Sequence, residues 1–521
     1  MMYFNFTMPP SKIVKIQVLQ KERFYGVGSC QGRLINLTGN LSSIKEGEEI
    51  SVKGSLKKEN NYERGIIGSY NIEQVKDRRQ GLLYKISNFK ENIYNKFSVY
   101  LGKDDAGIIM SLCVGDTKNL PEDAKNNFKQ LGVVHAVSVS GMHIALIYQI
   151  LEKIFGLWPA IFISLFYVIF TGSLSATVRS FIMIAVFKLS KKNYKNYDSY
   201  SSLSLSACML LILKPYYIFD IGFMLSYLAT LGILLYYKKI SRALYRLPQK
   251  INEPLSVTLS AQVFSMPYAA FTLKNFSGGF IIGNLILVPF YSAIVILGNL
   301  AIIVFFSEPV FTVLCKLLLM IMLIINQITK FLMEITPNIV YMTYIEALGL
   351  IIVYLCYLFV KYGYKKARYI PIIVLILVIM QNYYFFPELH YVVTSGGEGM
   401  IINYKFKSIY LSKGKLTIQE RNELKQKLRV GIFKESESGI FLITLNKYKF
   451  NIDENRNYIE LSEGDKKIIY TNEGYVYYKG ITSRNSYDII KIDKKKYKKY
   501  ELPKESIVFK VISGRIIALE D

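Results

Sequence analysis

Polar residues set in apolar surroundings carry the sharpest chemical signal in this chain. The run LGVVHAVSVSGMHIALI at 131–147 holds His135 and His143, two of the chain's three histidines, with Ser138, Ser140 and Gly141 between them. Such groups are costly in lipid and usually face protein or a water-filled path. If the run is one helix, His135, Ser138 and His143 fall near one face, and Ser140–Gly141 can loosen it locally. The plainer reading has the serine hydroxyls bonding back to the preceding turn and the histidines at the interface. The run TGSLSATVRSFIMIAV at 171–186 buries Arg179 in apolar sequence. A membrane-embedded arginine needs an acid, a carbonyl or a ligand anion. A phosphate would serve, and so would a structural ion pair with Asp220, which opens DIGFMLSYLATLGILL at 220–235. Two further runs, AQVFSMPYAAF at 261–271 and GGFIIGNLILVPF at 278–290, pair Gln262 with Pro267 and Asn284 with Pro289. Helices broken at membrane depth face protein or line a cavity. Four polar interruptions in one bundle favour a transport path over a purely structural one.

The elements that would position these residues are helices crossing a bilayer. The 521 residues are 51% hydrophobic and 14% aromatic, with mean hydropathy +0.25. Long apolar runs, each near the roughly 20 residues needed to span, give about ten hydrophobic segments: 133–151, 157–172, 174–190, 200–218, 219–237, 255–273, 277–306, 309–334, 343–361 and 368–386. Segment 277–306 is too long for one straight span and is expected to tilt, or to break near Pro289. Basic loops at 191–198, 238–250 and 361–368 fall on one side, which the positive-inside rule makes cytoplasmic. Both terminal domains then lie outside. MMYFNFTMPP is too short to span, so a membrane segment upstream of Met1 is expected.

The chain ends read differently. Residues 1–78 alternate apolar and polar residues between turn signals, as a small OB-like β-barrel would. Residues 79–130 form an amphipathic helical lead-in, whose first helix is expected at the membrane surface. Residues 131–388 form the transmembrane region and 389–521 a β-rich (α+β) soluble domain. The fold class is thus a polytopic α-helical membrane protein flanked by two β domains. In the last domain Lys494, Lys495, Lys496, Tyr497, Lys498 and Lys499 sit in a basic tract with interleaved tyrosine. It suits phosphate contact and base stacking, though a solvated lysine loop is the commoner case. The net charge of +25 fits nucleic acid, anionic lipid or the inside bias of membrane proteins alike. Five cysteines show no metal-ligand spacing, and no Walker A motif is present. No cofactor or metal is implied.

The combination of motifs resembles the ComEC family of DNA-internalisation competence proteins. The matching pieces are CVGDTKNLPEDAKNNFKQLGVVHAVSVSGMHIALI at 113–147, SLSATVRSFIM at 173–183, KPYYIFDIGFMLSYLATLGIL at 214–234, and AQVFSMPYAAF through GNLILVPF at 261–290. The resemblance implies a bacterial plasma-membrane channel that takes up one DNA strand in natural transformation. It also implies a pore or pore-supporting role for His135, Ser140, Gly141, His143, Arg179, Asp220, Gly222, Phe223, Ser226, Gln262, Pro267, Asn284 and Pro289. Many members end in a metallo-β-lactamase-like domain. Here HYVVTSGGEGMIINYKFKSIYLS at 390–412 resembles a worn version of its opening strands, without the His-x-His-x-Asp-His cluster that holds metal. The expectation is therefore a non-enzymatic chain with a degenerate C-terminal domain. Single-stranded DNA and membrane lipid are its expected contacts. The family further implies a cytoplasmic helicase-like ATPase, a surface DNA receptor and a separate nuclease, and is compatible with an oligomer. Two rivals stand: a transporter of another anionic polymer or lipid-linked substrate, and a non-transporting scaffold relative.

Overall fold

The structure is a computed structural model. It describes residues 13–471 other than 22–24, 40, 42–43, 60, 62–64, 138, 338, 395–396, 418–419, 422–423, 426–427, 447, 454–457 and 464–465, and beyond these the strands Tyr477–Lys479, Ile507–Ile512 and Arg515–Glu520. The chain divides into two compact units, residues 1–272 with 276–340 and residues 273–275 with 341–521.

The first unit opens with five strands, β1 (Val14–Lys21), β2 (Gly26–Cys30), β3 (Arg33–Gly39), β4 (Glu48–Lys57) and β5 (Ile66–Gln80), closed into a barrel in the order β1-β2-β3-β5-β4. β1 returns antiparallel to β4, and β3 runs parallel to β5. Alternation along each strand sends Ile16, Val18, Ile35, Leu37, Ile50 and Val52 into one fully buried core. That two-residue period is what the pleat requires of a sheet with one dry face.

Helix α1 (Leu82–Leu101) follows. Its apolar stripe of Ile93, Phe97 and Leu101 is buried in the helical core with α2 (Lys103–Val114) and α12 (Glu308–Ile335). The amphipathic stripe of α1 is thus covered by protein, because amphipathicity reports an apolar face but not what covers it. Residues Ala106–Val114 of α2 are almost wholly buried. They pack so closely on α11 (Phe280–Ile303) that a Cβ at Gly298 would overlap the Cys113 sulfur. Lys96 on α1 donates to the Phe305 carbonyl at 2.6 Å, pairs with Glu308 at 3.0 Å and lies over the Phe305 and Phe311 rings.

Between α2 and α11 run α3 (Glu122–Gln130), α4 (Val134–Val137), α5 (Gly141–Phe155), α6 (Leu157–Phe170), α7 (Ser175–Lys192), α8 (Ser199–Leu213), α9 (Ile221–Ala243) and α10 (Gln249–Leu273). Among the described residues, four helices are long and apolar enough to cross a membrane: α9, α11, α12 and α13 (Tyr344–Lys361). α6 and α8 are apolar but shorter. Two expectations need correction. Residues 133–151 are not one helix: the chain leaves helical geometry between α4 and α5. Pro267 and Pro289, in turn, do not interrupt their helices; α10 and α11 run through them. A mid-helix proline removes one backbone hydrogen bond, and a bundle of neighbours restores what an isolated helix would lose.

The second unit contains α13, α14 (Ile370–Asn382) and two sheets. Six strands run in the order Ile432–Ser436, Lys407–Lys413, Gly397–Lys405, Tyr384–Thr394, Ile507–Ile512, Arg515–Glu520, and five from Ile440–Leu445 to Tyr477–Lys479 form an antiparallel meander. Arg429 ties this unit together. Its guanidinium pairs with Glu346 on α13 and donates to Asn382 Oδ1 at the end of α14 (2.7 Å) and to the Tyr341 carbonyl (2.9 Å). Glu346 also accepts the Thr343 N–H at 2.8 Å, closing a capping box on α13. Both partners keep some exposure (28% and 15%), which lowers the cost of breaking the pair below the fully buried case. Arg429→Met is expected to cost about 2 kcal/mol, read as a lowered midpoint in thermal unfolding of the purified protein. An unchanged midpoint would leave the pair without a stabilising role.

Candidate functional site

Helices α5, α7 and α9 lie parallel, with their N-terminal ends together. Glu152 near the end of α5 pairs with Lys188 near the end of α7 at 2.5 Å. At the other end, a Cβ on Gly141, the first residue of α5, would overlap the Ser180 hydroxyl on α7 and lie 3.2 Å from Arg179 Nη2. A Cβ on Gly222, in the first turn of α9, would lie 4.0 Å from Ser175 Oγ, the first residue of α7. Each helix N-terminus carries unpaired N–H groups and about half a positive charge. Three such ends therefore meet.

Their caps differ. Asp220 precedes α9, and its Oδ1 accepts the Phe223 N–H at 2.6 Å, so that end is already balanced by a carboxylate. α5 and α7 have neutral N-caps, Ser140 and Leu174, and no acid in the first turn; α5 closes a capping box between Ser140 and His143, and α7 has no side-chain cap hydrogen bond. At α5 the imidazole of His143 reaches back, its Nδ1 accepting the Ser140 N–H at 2.7 Å, with the Ser140 hydroxyl 3.3 Å from the same nitrogen. A ring nitrogen that accepts a backbone N–H is unprotonated, which puts the ring proton on Nε2. His143 is fully buried, and its Nε2 has no hydrogen-bond partner among the described residues. A buried donor left unmade costs roughly 1–3 kcal/mol and is unusual enough to mark a place where an acceptor belongs.

Arg179 supplies the full charge. Its Nε donates to Ser226 Oγ on α9 at 2.9 Å, Nη1 contacts Met183 Sδ at 3.5 Å, and the guanidinium lies 5.8 Å from the Tyr227 ring centre. Among the described residues no carboxylate forms an ion pair with it. Of the two partners the sequence offered, the ion pair with Asp220 is not formed, because a residue at an N-cap is held by its own helix before it can reach another. With the Nε edge engaged, the outer edge of the guanidinium, beside Gly141, is what remains for an anion.

The structure thus brings together Ser140, Gly141, His143, Arg179, Asp220, Gly222, Phe223 and Ser226. The Phe223 ring is buried 4.4 Å from that of Tyr227. His135 is exposed on α4, off the α5 face where it was expected. Gln262 lies on α10, its Oε1 accepting from Ser265 at 3.4 Å. Asn284 lies on α11, its buried Oδ1 without a partner. Neither contacts the Arg179 cluster in the hydrogen bonds above. Ser138 and Lys494–Lys499 lie outside the described residues. Sequence reasoning missed Ser175, Ser180 and Tyr227. Ser180 and Tyr227 are direct neighbours of Arg179 and Ser226, but no spacing rule singled them out. Among the described residues no three His, Cys, Asp or Glu side chains gather as a metal would require. His390 is buried near Glu388, at 3.5 Å.

Comparison with known proteins adds a finding independent of this geometry. Residues 112–366 match the family model of competence proteins. The chain is 25% identical over 274 residues to ComE operon protein 3 of Bacillus subtilis (strain 168), covering 50% of this chain and 34% of that protein. It is 24% identical over 206 residues to an uncharacterized protein of Aquifex aeolicus (strain VF5), covering 37% and 47%. The chain thus spans between a third and a half of the length of these relatives. No solved structure matches it.

Proposed function

Because residues 112–366 belong to the competence-protein family, we propose that this chain is a plasma-membrane channel passing single-stranded DNA into the cytoplasm during natural transformation. The observation that carries the reading is Arg179, without an acidic partner among the described residues, set among helix N-termini on the segment the family covers. A polyanion supplies what that cluster lacks.

Orientation supports the same reading. α7 and α9 run from the cluster toward the basic loops 191–198 and 238–250, so the positive-inside rule puts the cluster at the outer end. Gly65 of the barrel meets the Tyr216 ring, and Glu46 pairs with Lys118 at 2.5 Å. Tyr216 precedes α9, so the barrel sits at that outer end too. Its order, β1-β2-β3-β5-β4, is that of an OB-like barrel, a fold suited to meeting a single strand before it enters. The ten apolar segments cross the membrane in alternation, the C-terminal domain is a metal-free relative of metallo-β-lactamases, and an ATPase on the inside pulls the strand. A surface receptor and a separate nuclease complete the system.

Transformation in a strain lacking the gene tests the proposal, with labelled DNA followed across the membrane. Deletion is expected to leave surface binding intact and abolish entry, with the wild-type gene restoring it. Undiminished entry would discard the DNA channel in favour of a scaffold. Loss of an anionic polysaccharide, with DNA entry intact, would favour transport of another polymer.

A further inference from the structure

We infer that Arg179 and the N-terminal ends of α5 and α7, which carry no acid, hold one phosphodiester group at a time, and that they recognise the phosphate alone and not the bases. The inference rests on the channel reading and narrows it to a ligand and a mode of recognition.

The donors define the ligand. α5 and α7 each end on a neutral residue with no acid in the first turn. Backbone N–H groups at such ends suit a tetrahedral oxyanion. The guanidinium is anchored through Nε by Ser226 at 2.9 Å, which fixes its plane and leaves its outer edge toward Gly141. That glycine lets the two helices close up, since any Cβ there would overlap the Ser180 hydroxyl. His143, fully buried on the first turn of α5, adds an Nε2 without a partner among the described residues. One guanidinium charge and two half-charges make about +2, which the nearby Asp220 carboxylate lowers toward the single charge of a phosphodiester. The opposing charge packed nearby is Asp220, which is occupied by the Phe223 N–H and forms no ion pair with Arg179. It keeps the site from holding an anion too tightly, and a site that conducts must release what it binds.

The surroundings define the mode. Base-edge readers are bidentate amides, acids or arginines presented to a base. Here the arginine is committed at Nε, and Tyr227, the aromatic beside it, exchanges a hydrogen bond with Ser206 at 2.9 Å and stacks against Phe223. The groups facing the ligand are backbone N–H, guanidinium and imidazole, all of which address phosphate oxygen.

A phosphodiester can come from a nucleic-acid strand or from a lipid headgroup, and binding to the purified full chain in maltoside detergent separates them. The probe is a fluorescent single-stranded oligonucleotide, compared with the same sequence carrying uncharged methylphosphonate linkages. The charged probe is expected to bind at least about tenfold more tightly, and changes of base sequence to matter less than about twofold. Arg179→Gln is expected to erase the Arg179 share of that preference and lower the slope of log affinity on log salt by about 0.7, the single-strand value for one phosphate. Arg179→Lys, which keeps the charge, is expected to retain the slope and guards against a folding artefact. An unchanged slope and backbone preference in Arg179→Gln would overturn the inference while leaving the channel reading intact. So would strong base dependence lost with Arg179. If short-chain phosphatidylglycerol binds in an Arg179-dependent way and the oligonucleotide does not, the phosphodiester site stands and the DNA reading falls.

Discussion

Arg179→Gln is expected to reduce DNA entry by about a hundredfold or more, with the protein present in the membrane at normal level. Removing the charge from a partly enclosed charge-assisted contact costs roughly 2–5 kcal/mol, much of it from the partner left unpaired. Every 1.4 kcal/mol is about tenfold. The side chain is tethered to α9 through Ser226 and rests near Tyr227, so lysine at the same place is expected to recover only part of the loss. Transformation frequency, normalised to membrane abundance by immunoblot, is the measurement. Wild-type frequency in Arg179→Gln would remove the arginine from the path and return it to a packing role.

The second large effect is expected at Gly141. A Cβ at that position would overlap the Ser180 hydroxyl and lie 3.2 Å from Arg179 Nη2. Gly141→Ala should therefore force α5 and α7 apart, at about 1–3 kcal/mol of overpacking, and lower DNA entry by about tenfold or more. The rescue is specific. Ser180 donates only to the Ala176 carbonyl of its own helix, at 3.0 Å, so Ser180→Ala alone should behave as wild type. Combined with Gly141→Ala it removes the oxygen that clashes and leaves the Ser180 Cβ 3.1 Å away, which is tight but needs only a small shift. Recovery of most of the lost entry in the double variant is the expected outcome. A double variant as poor as Gly141→Ala would place the fault in backbone flexibility rather than in this contact.

The residues of this cluster were legible in the sequence as types, because serine, histidine and arginine stand out in apolar runs. Their meeting was not legible. Periodicity places side chains on a helix but does not say which helices run parallel, and the convergence of α5, α7 and α9 is a property of packing. Ser140–Gly141 was legible as a place where a helix can loosen but not as the start of a new one, because the apolar pattern continues across it and only the His143 ring closing back on the Ser140 N–H marks that start. Asp220 stood as an alternative partner for Arg179 on charge alone, when its place just ahead of a helix already committed it to the Phe223 N–H. Pro267 and Pro289 were read as interruptions by a rule that holds for lone helices. The barrel was the easier reading, since a two-residue period with turns between strands leaves few alternatives. In α1 the stripe Ile93–Phe97–Leu101 fixed a face but not its partner.

The lengths of the helices around Arg179 bear on the bilayer itself. α6 has 14 residues and α8 has 15, hence about 21–23 Å of helix, against a hydrocarbon core of about 30 Å. Both turn apolar residues outward, Phe162 and Phe166 on the first, Ile212 and Leu213 on the second. Trp158, with the Lys192 ammonium 4.6 Å from its ring, pairs an aromatic with a cation as residues at a membrane interface do. Where helices this short cross a bilayer, the lipid beside them thins to match. A thinner membrane beside the cluster would shorten the stretch of low dielectric that a charged polymer has to cross, so the short helices α6 and α8 would lower the electrostatic barrier around the proposed path.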